Sequence, residues 1–209
     1  MKKLMLLFAL ITCLVTQSCS EEQFQGPDYE SLPNDVILEW NEVAYQAFGG
    51  VSYQHSLMAA RVNAMTHLAM HDALNGIFSV YEKYAFTGSD TGANPIAAAA
   101  CAAHTVLLFE IQDKKSFLDS ALMKTLSTIP DGDAKNRGVV LGKAAGQAII
   151  DARLNDGSAG SPIGPVAPST IPGVYQVVPP FDFVFAPNWL EVKPFGLMSK
   201  NQFRSAPHP

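Results

Sequence analysis

From Gln54 to Tyr84 apolar residues recur at intervals of three and four. At 100° per residue Met58, Val62, Met65, Ala69, Ala73 and Val80 share one arc. Ala60, Ala64, Leu68, Leu74 and Phe78 lie on the other side. Among them stand Asn63, His67, His71 and Asn75, each four apart, as a polar ladder up one face. A helix apolar nearly all round is buried. The pattern therefore predicts that this segment is the central helix of an all-α domain.

The flanking segments follow the same period. Val36–Phe48 places Ile37, Trp40, Val43, Ala44 and Ala47 on one stripe, with Asn34 or Asp35 as cap and Gly49-Gly50 as stop. Thr87 to Asn94 is a loop, and Asn94-Pro95 starts a third helix, Ile96–Ile111. Six alanines at 97–100 and 102–103 give that helix a surface another helix can approach closely. Asp113 or Ser116 opens a fourth helix, with Phe117, Leu118, Ala121, Leu122 and Leu126 as its stripe. After the Pro130-Asp131-Gly132 turn, Asp133 caps a fifth, running to about Leu154. Val140, Ala144, Ala148 and Ile149 are its expected inward side. Gly138, Gly142 and Gly146 repeat every four residues along it. In a bilayer that repeat suggests a dimer face. Lys143, Gln147, Asp151 and Arg153 make a span untenable, so the expectation is close packing of a neighbouring helix.

The expected architecture is thus a bundle of about five helices over residues 35–156. An irregular arm rich in Pro, Gly and aromatic residues follows over 157–209. Its rings argue against a solvated disordered tail and for packing onto the bundle or onto another body.

Composition sharpens the class. The chain has 209 residues, enough for one domain with a core; 48% are hydrophobic and 16% charged. A net charge of −5, with no basic cluster after Lys2-Lys3, excludes a nucleic-acid partner. Lys2-Lys3 and the apolar run Leu4 to Val15 form a targeting segment too short to span a bilayer. Thr16-Gln17-Ser18-Cys19 resembles a bacterial lipobox. That resemblance implies a signal peptide over 1–18, a lipid-modified Cys19, a polar tether over 19–34, and attachment to a membrane through the lipid. The alternative is a secretory peptide with an incidental cysteine. Ser20-Glu21-Glu22 resembles the acidic export tag of surface lipoproteins in Bacteroidetes, so the expected location is the outer membrane or cell surface. After cleavage only Cys19 and Cys101 remain; Cys101, inside an alanine run, reads as a small buried residue.

The order of motifs resembles the N-terminal half of vanadium-dependent haloperoxidase-like proteins, relatives of the type 2 phosphatidic acid phosphatases. The resemblance rests on Trp40-Asn41, on the run from Arg61 through His67 to His71-Asp72-Ala73, and on Tyr81 and Tyr84. It continues with the alanine helix and His104, with Asp151-Ala152-Arg153 before Asp156-Gly157, with Pro172-Gly173-Tyr175, and with Trp189 to Phe203 around Pro194-Phe195. It covers nearly everything after residue 35. It implies a helical bundle that buttresses an oxyanion site carried by a later half. That half holds vanadate or phosphate with a Lys, an Arg-Pro, a Ser-Gly-His and an Arg near a final His. None of these motifs occurs here: there is no Ser-Gly-His, and the last arginine, Arg204, precedes Ser205. No catalytic residue is assigned. The expectation is a chain truncated before the catalytic half, inactive alone, with any vanadate or phosphate belonging to that half and a separately encoded partner supplying it. The alternative is a non-catalytic surface lipoprotein, a helical binding or interaction module.

Candidate polar residues remain. His67 and His71 stand at i and i+4, a spacing that can clamp zinc with a third ligand from His104, Asp72 or His55. Leu68 occupies the place of the glutamate in a zinc-protease helix, and no metal is assigned. Asn63, His67, His71 and Asn75 are instead expected to bond across helices. Arg61 and Asp72 lie on one face but roughly 16 Å apart, too far to pair, so each needs its own partner. Neither a Gly-x-Ser-x-Gly elbow nor a Walker phosphate loop is present.

Overall fold

The computed structural model describes residues 29–50 and 56–206. The signal peptide, Cys19, most of the tether, Gln54, His55 and His208 lie outside the described residues. The chain divides into two compact units, Met1–Leu32 and Pro33–Pro209. The described part of the first is a single 3-10 turn, Tyr29–Ser31. The second is all-α: α1 (Asp35–Ala47), α2 (Ser56–Phe78), α3 (Pro95–Glu110), α4 (Lys115–Ser127) and α5 (Asp133–Arg153). An irregular arm follows. Its strands are two residues each, β1 (Ile163–Gly164) against β2 (Val184–Phe185), antiparallel. Among the described residues no helix is long and apolar enough to cross a membrane.

The helix at the centre is α3, not α2 as the periodicity suggests. It packs against every other helix of the bundle. Residues 97–103 are completely buried. The reason is size. Alanine on all sides lets several helices approach one axis, whereas α2 keeps a half-exposed face at His67, Leu68 and His71. Asn94 starts α3: its side chain accepts the Ala97 N–H at 2.9 Å, and Pro95 occupies the first turn, where an N–H would have no partner.

The glycine repeat of α5 lies against α3. A Cβ on Gly138 would stand 2.5 Å from the Asn94 carbonyl oxygen, and one on Gly146 2.7 Å from the Thr105 Cβ. One on Gly142 would collide with the Ala98 carbonyl oxygen. The expected inward side of α5 is corrected accordingly. Val140 is 69% exposed and Ala144 is exposed, while Leu141, Ala145 and Ile149 face the core. Turning the glycines inward rotates Val140 and Ala144 to the outside, and close backbone approach outweighs one isolated valine.

The second helix ends at Phe78, six residues before the expected Tyr84. Helix periodicity continues, but side chains capture the backbone. Asn75 Oδ1 accepts the Tyr81 N–H at 2.7 Å, and Asp72 accepts those of Tyr84, Ala85 and Phe86 at 2.7, 2.7 and 2.8 Å. Ser79 adopts a left-handed φ of 54°, and Val80 leaves the arc for solvent. Most of that arc behaves as expected: Val62, Met65, Ala69 and Ala73 are buried, and Met58 is half-buried.

Candidate functional site

The five polar residues singled out by sequence, Arg61, His67, His71, Asp72 and His104, do not form one site. They fall into four places.

Arg61 lies in a buried ionic joint. Its Nε donates to Asp156 Oδ2 at 2.8 Å, its Nη1 to Glu110 at 2.9 Å, and its Nη2 to the Arg153 carbonyl at 3.2 Å. Arg153, completely buried, puts its Nε on the same Asp156 oxygen at 3.0 Å. Its other nitrogens donate to the Lys193 and Pro194 carbonyls, and the Phe195 ring covers its guanidinium at 3.8 Å. The Lys193 N–H in turn reaches the Asp156 carbonyl at 2.8 Å. One carboxylate thus joins α2, the end of α5 and the arm, while Glu110 balances the second guanidinium. Every nitrogen of both guanidinium groups has a protein acceptor.

The electrostatics follow from that geometry. Burial opposes the Arg61 charge, but the Asp156 and Glu110 hydrogen bonds outweigh it and hold its pKa above the ordinary value. Burial likewise works against ionised Asp156, but Arg61 and Ser158 outweigh it and hold its carboxyl below the usual range. A carboxylate with a depressed folded pKa stabilises the fold above its unfolded pKa of about 3.9, and that contribution is lost as pH falls through the lower folded value. Wild-type stability should therefore fall steeply below about pH 4. In Asp156→Asn the slope there should be shallower, with the part due to Asp90, Asp119 and Asp131, whose pKa values their basic partners also lower, remaining. Urea unfolding at a series of pH values checks this; an unchanged slope refutes it.

Asp72 and His71 occupy the end of α2. Asp72 is fully buried and holds the 84–86 backbone. His71 Nε2 meets the Glu82 carbonyl at 2.9 Å, and its ring stacks on Tyr81 at 6.2 Å. His67 bonds Asn41 of α1 at 3.2 Å, and burial lowers its pKa. Of the polar ladder, His67 is the one that reaches another helix. His71 and Asn75 serve the loop after their own helix, because that loop folds back over them. The buried Asn63 Oδ1 has no partner among the described residues. Among the described residues no group of three or more His, Cys, Asp or Glu side chains is placed to hold a metal ion.

His104 is on α3, with its Nε2 2.9 Å from Asp119 Oδ1 of α4 and its ring edge-on to Trp40 at 6.3 Å. Lys115 takes the other oxygen of Asp119. Burial pushes the Cys101 thiol up to about 11, so it stays protonated near neutrality.

Glu110 and Asp119 are the functional partners that sequence reasoning missed. A buried arginine demands some carboxylate, but Glu110 lies 49 residues from Arg61 and Asp119 lies 15 residues from His104 on another helix, so neither pairing carries a local signal. No protein-family model matches this chain, and no curated protein or solved structure does.

Proposed function

We propose that the chain is the helical buttress of a vanadium-dependent haloperoxidase-like or type 2 phosphatidic acid phosphatase-like lipoprotein. In this reading Cys19 carries lipid and anchors it at the outer membrane or cell surface, and oxyanion chemistry belongs to a separate catalytic half. One observation supports the reading most. Four charged residues that carry the family resemblance, Arg61, Asp72, Arg153 and Asp156, are committed to internal joints. Halide oxidation and phosphoryl transfer both build charge on an oxyanion, and several cations and donors must converge on it. Arg61 and Arg153 have no free nitrogen for that, and Arg137 is forked onto Asp90. Paired in this way, Arg61, Arg137 and Arg153 do not fit vanadate or phosphate.

The chain from Cys19 onward, purified, should neither oxidise halide with peroxide nor hydrolyse phosphate monoesters. Adding a catalytic half from a downstream reading frame should yield a stable complex with turnover. Activity in the chain alone, abolished by His67→Ala, His71→Ala or His104→Ala, would overturn the assignment. The anchor has its own test: cells fed a clickable fatty acid should label the protein, and Cys19→Ala should remove the label. A second reading, a non-catalytic binding module at the cell surface, draws on the arm, where Tyr175, Phe181, Met198 and Phe203 are exposed. Failure to bind any catalytic half would favour it.

A further inference from the structure

The contact between α3 and α5 opens into a groove of about 910 Å³, partly floored by His104 and flanked by Lys115, the first residue of α4. The glycine repeat ends at Gly146 against Thr105. Past that point α3 presents Leu108 and Phe109, Ala144 lines the side, and the largely buried Ile150 of α5 lies at the bottom. The lining is mostly apolar, and Phe109 is 42% exposed within it. The volume suits one small organic molecule.

The polar groups at the groove are unequal. Lys115 and His104 both bind Asp119, so each already has an acceptor. Gln147 donates to Asp151 at 2.8 Å. Lys143 has no acceptor among the described residues, and no carboxylate lines the groove. A protein of net charge −5 thus keeps one unanswered ammonium beside an apolar trough. We propose that this groove binds an amphipathic monoanion, a free medium-chain carboxylate, with its headgroup on Lys143 and its chain over Leu108, Phe109 and Ile150. Burial of the chain supplies the driving force, and the ammonium selects the charged headgroup.

The groove is built for binding and not for turnover. The Thr105 hydroxyl donates to the Cys101 carbonyl at 2.7 Å, and the Cys101 thiol is buried and protonated. Neither is an activated nucleophile beside the His104–Asp119 pair.

Calorimetric titration of the folded chain in detergent-free buffer with laurate, below its micelle concentration, tests this. Laurate should bind one to one, more weakly as salt rises. Lys143→Met should weaken it about fivefold or more, and decanol should bind the wild type at least about fivefold more weakly than decanoate. Lys200→Met, which removes an exposed lysine of the arm, should change nothing. Amide shifts in a laurate titration should cluster on residues 104–112 and 143–150. Absence of saturable binding, or binding indifferent to Lys143→Met and to the headgroup, overturns the proposal. So does binding to anionic phosphatidylglycerol vesicles without binding of laurate, because the ligand would then be a membrane surface.

Discussion

Gly142→Val should destabilise this protein by about 3 kcal/mol or more, lowering Tm by at least about 6 °C. Two effects compete. Replacing an interior helical glycine removes a propensity penalty of about 1 kcal/mol at most, which favours the variant. Against it stands a collision between the new Cβ and the Ala98 carbonyl oxygen, with the Cys101 Cβ another 2.9 Å away. A side chain could rotate aside, but a helical carbonyl cannot. The helices α3 and α5 must separate, and the separation runs along the whole repeat, since Gly138 and Gly146 sit against the same helix. Because α3 is the core of the bundle, that movement loosens packing on its other faces too. Gly146→Ala should cost less, because its nearest neighbour is the Thr105 side chain, which can shift. Thermal unfolding followed by circular dichroism gives the order. A Gly142→Val protein as stable as wild type would show that the two helices do not approach this closely.

The second large effect is expected at Asp156. Asp156→Ala removes the shared acceptor of two buried guanidinium groups and should cost about 3–5 kcal/mol, the range for stripping one partner from a buried ion pair. Arg61 keeps Glu110, but Arg153 is left completely buried with carbonyl acceptors and no anion. The variant should also loosen the arm. Arg153 holds the carbonyls of Lys193 and Pro194 and stacks on Phe195. Amide exchange at residues 189–196 should accelerate more than at the core of α3. Asp90→Ala is the milder comparison: it removes a half-buried bidentate partner of the exposed Arg137 and the acceptor of the Gly92 N–H, and should cost about 1 kcal/mol. Equal losses for the two variants would mean that the Asp156 joint is solvent-screened and not buried.

The five helices, their order and the Asn94-Pro95 start of α3 were legible in the residues themselves. Breaks and a 3.6-residue period are local, acting within a few residues of each other, and local rules suffice to place them. The expected caps were less legible: Asn94 makes its side-chain bond, whereas the helices that begin at Asp35, Lys115 and Asp133 start without one. The burial of Val62, Met65, Ala69 and Ala73 was legible for the same reason. The glycine repeat announced a close helix neighbour but not which one. What the residues alone could not determine is everything that depends on distance along the chain. The end of α2 at Phe78 depends on Asp72 reaching backbone up to 14 residues ahead. The outward turn of Val140 depends on α3 claiming the glycine side of α5. The dispersal of the polar residues into separate joints depends on partners from other segments: Glu110 and Asp156 for Arg61, Asp119 for His104, Asn41 for His67 and the 84–86 backbone for Asp72. A buried charge requires a partner wherever the chain can supply one, and only the packed tertiary arrangement decides which residue that is.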